Sequence, residues 1–124
     1  LIMNNKNIPL SFKYAIQGFK IAFLNEFKIR LHSAIVVVVV IGGLLLNLSI
    51  LEWISVVISM GIVLITELIN TSIETLSDTL HPDMSEGIKN TKDIAASAVL
   101  IASTTALVIG LIVFIPYLCQ YFKI

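Results

Sequence analysis

Four polar side chains, Glu67, Asn70, Glu74 and Asp78, recur at intervals of three and four residues at the end of a long apolar run. On a helix they fall within roughly 80° of one another, so one face carries three carboxyls and an amide. Leu68, Ile69, Ile73 and Leu76 occupy other directions. Carboxylates suit a hard cation such as Mg²⁺, which takes one or two of them and fills its shell with water and substrate phosphate oxygens. A carboxylate held near a hydroxyl, away from bulk water, is also placed to accept that hydroxyl's proton. Taken singly, Glu74 and Asp78 are also what a solvated helix end carries, and an Asn such as Asn70 also joins helices by hydrogen bonding.

Such a row needs a helix that carries it to the right depth. Of the 124 residues, 57% are hydrophobic and only 13% charged, against about 25% charged in a soluble domain. Mean hydropathy is +0.98, and the apolar residues gather into long runs, the pattern of an integral membrane protein. We expect an all-α membrane protein, one domain over residues 1–124. It should comprise an N-terminal surface helix over 10–27 and spans over 31–50, 53–80 and 88–118, the second reaching beyond the bilayer. The run Ile35-Val36-Val37-Val38-Val39-Val40-Ile41 would suit a strand in water. In a segment of roughly 20 apolar residues it matches a bilayer-crossing helix instead, whose backbone satisfies its own hydrogen bonds.

Trp53 opens the second span as an interfacial anchor. Glu67 lies 14 residues beyond it, about 21 Å along a helix and still inside a hydrocarbon layer about 30 Å thick. An ionisable group at that depth is costly and marks a functional site unless it is paired. The second span holds no Lys or Arg to pair with Glu67. Glu74 comes about 10 Å later, at the interface or in water. The row therefore joins the headgroup level to the aqueous side. Asn25 and Glu26, before the first span, and Lys92 and Asp93, at the start of the third, approach the same level, and a lysine there offers a point charge for phosphate.

Orientation follows from the positive charges. Lys6, Lys13, Lys20, Lys28 and Arg30 precede the first span, and Lys89 and Lys92 lie in the second connection, whereas the first connection has none. This places the N-terminus and the second connection in the cytoplasm. The polar opening, up to Pro9, does not have the pattern of a cleaved signal peptide. Phe12, Ile16, Phe19 and Phe23 form one stripe of the surface helix, with Lys13, Gln17 and Lys20 beside it, as for a helix resting on an anionic leaflet. Ala98, Ala102, Ala106 and Gly110 form a small-residue stripe that permits close helix approach, from which we expect a homo-oligomer with sites assembled partly between chains. The zero net charge gives no argument for nucleic acid. The lone Cys119 permits no intrachain disulfide. No Gly-rich phosphate loop is present, since Gly42 and Gly43 lie within the first span.

The segment Glu67-Leu68-Ile69-Asn70-Thr71-Ser72-Ile73-Glu74, followed by Asp78, resembles the signature of the bacterial diacylglycerol kinase and undecaprenol kinase family. The similarity continues through Lys92-Asp93-Ile94-Ala95-Ala96-Ser97-Ala98-Val99-Leu100, with the interval from Asp78 preserved. Upstream, Ser11-Phe12-Lys13-Tyr14-Ala15, Gly18 and Asn25-Glu26 resemble the family's amphipathic entry, so that the likeness covers residues 10–118.

The resemblance implies a homotrimer in the bacterial inner membrane that transfers phosphate from ATP to a lipid alcohol at the cytoplasmic face, with Mg²⁺ as cofactor. It implies Glu67 as general base and Glu26 and Glu74 as metal ligands. It further implies Lys92 as a phosphate contact, with Tyr14, Asn70 and Asp93 as other substrate- or ATP-binding residues. Arg30-Leu31-His32 is similar to the Arg-x-His of the Gram-positive undecaprenol kinases, which favours undecaprenol over diacylglycerol. The connection His81-Pro82-Asp83-Met84-Ser85 departs from the family's usual form. A rival without catalysis is a small carrier that uses Glu67 as a proton relay.

Overall fold

The computed structural model describes residues 8–124. Lys6 and the rest of the opening segment before Ile8 lie outside the described residues. Four helices follow in order: α1, Ile8–Asn25; α2, Phe27–Leu46; α3, Ile50–Leu80; and α4, Glu86–Phe122. Three of them, α2, α3 and α4, are long and apolar enough to cross a membrane, and the chain is a multi-pass, all-α membrane protein. The second and third expected spans lie within longer helices. The surface helix expected over 10–27 already ends at Asn25, and the first span, expected over 31–50, is shifted to Phe27–Leu46 because Asn47 turns left-handed and ends α2. α2 starts at Phe27 because Phe27 and Ile29 extend the apolar run, and Ile29 is completely buried. α4 continues through Pro116 to Phe122.

Helices α1 and α2 meet at Glu26, whose extended backbone (φ −113°, ψ 116°) breaks the helix for one residue. Arg30 holds this corner, donating from Nη1 to the carbonyls of Phe23 and Leu24, both at 2.9 Å. A cation at a helix C-terminus satisfies orphan carbonyls and complements the helix dipole. The stripe Phe12, Ile16, Phe19 and Phe23 stays exposed in the single chain, leaving an apolar face of α1 uncovered by the other helices.

The α2–α3 connection is fixed more tightly. Asn47, in the left-handed conformation at φ 56°, donates its backbone N–H to Gly43. Ser49 and Glu52 then form a reciprocal capping box at the start of α3. Gly43 is required by packing: a Cβ there would stand 2.7 Å from the Trp53 ring and 3.0 Å from Leu48. Trp53, the expected interfacial anchor, is half-buried on this corner and joins a core of Leu48, Val56 and Val113 with Met60, Phe114 and Tyr117.

The most extensive pairing is α3 with α4, and a polar contact marks each end of it. At one end Tyr117 donates its hydroxyl to Glu52 at 2.6 Å. At the other Lys92 forms an ion pair with Asp78. Between these contacts α3 advances 26 residues and α4 advances 25, so the helices run antiparallel without a register slip. The small residues of α4 divide among three environments. Ala102 is buried within the chain, Ala106 and Gly110 are half-buried, and Ala98 is exposed. Large apolar residues such as Val38, Leu45, Ile58 and Ile112 cover the outer faces, a surface suited to lipid.

Candidate active site

The buried stripe of α3 reads Val56, Ser59, Val63, Glu67, Asn70, Ser77. These positions recur at the spacing of one helix face, so the acidic row is the continuation of the packing face itself. Glu67 is 1% exposed and Asn70 2%. Asn70 donates from Nδ2 to Glu74 Oε1 at 3.0 Å, an i,i+4 contact that orients the Glu74 carboxylate. Glu74 is half-buried, and Asp78, one turn on, is exposed and holds Lys92.

The row is short of donors. Glu67 Oε2, Asn70 Oδ1 and Thr71 Oγ1 are buried without a hydrogen-bond partner, and so is Ser33 Oγ on α2. A buried polar atom without a partner costs about 1–3 kcal/mol, more when charged. Unpaired groups of this kind are tolerated where a ligand supplies the partner. Two adjacent acceptors, Glu67 and Asn70, call for a hydroxyl proton or a cation.

The expected site residues divide accordingly. Glu67, Asn70 and Glu74 stand together on α3, with Lys92 brought to the same end through Asp78. Lys92 is held in an ion pair rather than free for a phosphate, although its side chain remains 22% exposed. Asp93 faces away from that pair and binds Lys89 at 2.6 Å, with both side chains 63% exposed. Tyr14 is 63% exposed on α1. Glu26 sits half-buried at the α1–α2 corner, and α1 makes a small contact with α3. Among the described residues no three His, Cys, Asp or Glu cluster closely enough to hold a metal by themselves. Mg²⁺ does not need such a cage. The Glu74 carboxylate, with the unpartnered Asn70 Oδ1 beside it, offers hard oxygen donors of the kind that this ion takes.

Three features escaped the sequence reading. Asp78 anchors Lys92 across the helix pair, a role that its place in the row does not reveal. Ser77 continues the buried face at 8% exposure, and its spacing from Glu67 and Asn70 already signalled this. The unsatisfied hydroxyls of Ser33 and Thr71 carried no sequence signal.

Comparison with known proteins bears directly on this arrangement. The pattern of the family described as prokaryotic diacylglycerol kinase matches residues 13–114, a stretch that contains every candidate residue. The chain belongs to this family. It is 34% identical over 108 residues to an undecaprenol kinase of Bacillus subtilis, covering 87% of this chain and 88% of that protein. It is also 34% identical over 111 residues to a diacylglycerol kinase of Synechocystis, covering 89% of this chain but 63% of that longer protein. A diacylglycerol kinase of Escherichia coli is 27% identical over 95 residues, 77% of this chain and 78% of that protein. This is a family of membrane lipid kinases, and membership sets aside the carrier that would use Glu67 as a relay.

Proposed function

We propose that the chain transfers the γ-phosphoryl group of ATP to the hydroxyl of a membrane lipid alcohol at the cytoplasmic face of the bacterial inner membrane. The observation that carries this reading is the buried, unpartnered Glu67 carboxylate on the face that runs from the bilayer core to the aqueous end of α3. Glu67 accepts the proton of the lipid hydroxyl as its oxygen attacks phosphorus. The new O–P bond forms as the bond to the β-phosphate oxygen breaks, and ADP leaves. Asn70 fixes the Glu74 carboxylate beside the base, and Glu26 at the α1–α2 corner belongs to the same ligand set. Mg²⁺, when bound by these carboxylates and the nucleotide, neutralises phosphate charge. Lys92 exchanges Asp78 for a phosphate oxygen, a short movement for a flexible side chain. Tyr14 and Asp93 complete the nucleotide and substrate contacts. Little covalent chemistry falls to the protein, so position and charge supply most of the acceleration.

Undecaprenol is the favoured acceptor and diacylglycerol the alternative. The Bacillus subtilis undecaprenol kinase aligns over nearly its whole length, and Arg30-Leu31-His32 supports the same choice. The positive charges around α1 and in the α3–α4 connection support the cytoplasmic orientation, and the uncovered apolar faces support a homotrimer. Phosphate transfer from labelled ATP by purified protein in detergent tests the reading, with both lipids offered side by side, with and without Mg²⁺. Mg²⁺-dependent transfer that disappears in Glu67→Gln is the expected result. Absence of transfer to either lipid by folded, oligomeric protein refutes it.

A further inference from the structure

An apolar groove of about 340 Å³ runs between α2, α3 and α4. Its rims include Ile35, Leu107 and Leu111, 47%, 62% and 48% exposed, so it opens sideways into the layer that these helices span. Its floor is shaped by small residues, Ser59 on α3 and Ala106 and Gly110 on α4. At Gly110 an added Cβ would meet nothing within 4 Å, so this part of the groove is open space rather than a packed contact.

The groove ends one helical turn short of Glu67. Its lining on α3 runs from Val56 to Val63 and Leu64, and Glu67 follows Val63 by four residues on the same face, the spacing of stacked neighbours. The helix register gives the same level from the other side. Glu67 lies eleven residues back from Asp78, and Ser103, a lining residue, lies eleven on from Lys92. The groove thus ends one turn from a 1% exposed carboxylate whose Oε2 lacks a partner. From Ser103 to Phe114, at its far end, the distance is about 16 Å along α4.

Resting on the kinase reading, we propose that this groove seats the hydrocarbon chain of a single-chain lipid alcohol, with the chain running from Phe114 to Ser103 and the hydroxyl delivered to Glu67. Its volume is at the lower end of the about 300–1,000 Å³ of ligand clefts, sufficient for one chain segment and not for two side by side. A linear run of isoprene units, ending in one hydroxyl, fills it. A diacylglyceride would leave one of its two chains outside. The apolar lining aligns the chain along the helices, and the small residues at Ala106 and Gly110 provide its width.

Filling the groove tests this. Gly110→Leu places a side chain in open space without displacing backbone, and Gly61→Leu, at a glycine outside the groove that is equally open, is the control. With a long-chain polyprenol as acceptor, Gly110→Leu should raise KM about tenfold or more, and Gly61→Leu should not. A single-isoprene alcohol is too short to span the about 10 Å from the Glu67 level to Gly110 and should be phosphorylated equally by all three proteins. Unchanged KM for the long chain overturns the proposal. So does a changed oligomer size in Gly110→Leu by light scattering, which would make the groove the seat of a second copy of the chain. A polyprenol with a photoreactive diazirine on its chain, used without ATP, reads occupancy independently of catalysis. Cross-links at Gly110 and Phe114 support the groove even if no phosphate is ever transferred, in which case only the kinase reading falls. Cross-links spread over the outer faces of α2 and α4 overturn it.

Discussion

A carboxylate that is buried, unpartnered and flanked by a second unpartnered acceptor is set up to receive a proton or a cation, and Glu67 with Asn70 has this form. Replacing Glu67 by Gln keeps the shape and removes the base. Phosphate transfer should fall by about 10²–10⁴-fold, the usual contribution of a positioned proton acceptor, with Mg-ATP affinity by calorimetry unchanged. Lost nucleotide binding with intact turnover would contradict the assignment. Asn70 acts through Glu74, to which it donates at 3.0 Å. Asn70→Leu frees that carboxylate and should raise the Mg²⁺ concentration for half-maximal rate, measured by metal titration, while restoring the amide as Gln should recover part of the loss. The row of three carboxyls and an amide was legible because its spacing places it on one helix face. Thr71 and Ser33 were not, for a physical reason. In apolar helices hydroxyls usually donate back to a preceding carbonyl, as Ser55, Thr66, Ser72 and Thr75 do here. Nothing in sequence marks Ser33 and Thr71 as exceptions.

At the scale of elements, two corners hold the row in place. Arg30 ties α2 to the last carbonyls of α1, and Gly43 lets Trp53 close the α2–α3 turn. Gly43→Ala forces the Trp53 ring or Leu48 to shift, and overpacking of this kind costs about 1–3 kcal/mol. A lower Tm in detergent should report it, and an unchanged Tm would mean that the corner yields freely. The four helices were legible from their long apolar runs and from the stripe of α1. The corners were less so. Nothing in the spacing of Arg30 or Gly43 signals a corner, because a cap or a close approach becomes visible only once the chain turns back on itself. The small residues of α4 show the same limit. Their spacing announced close packing, but the location of that packing, inside the chain at Ala102 and along an open groove at Ala106 and Gly110, depends on the α3–α4 register.

At the scale of the molecule, one chain does not gather all the residues that the chemistry calls for. Glu67, Asn70 and Glu74 stand on α3, but Asp93 turns towards Lys89, Tyr14 is exposed on α1, and no three acids cluster among the described residues. The outer faces of α1, α2 and α4 remain apolar and uncovered, a surface that lipid or further copies of the chain would cover. If copies meet there, α1 and the start of α4 of one protomer can approach the α3 row of the next, and each site would draw residues from two chains. Subunit mixing distinguishes this from a self-contained site. Glu67→Gln and Glu26→Gln proteins, each inactive alone, would be unfolded together and refolded as mixed oligomers. With shared sites, some of these combine an intact Glu67 from one chain with an intact Glu26 from another, and transfer should reappear above the sum of the two separate preparations. With self-contained sites every site retains one lesion, and the mixture should be as inactive as its parts. Recovery would also fix Glu26 and Glu67 as partners across an interface, a relation that the sequence spacing of two residues on different helices has no means of expressing.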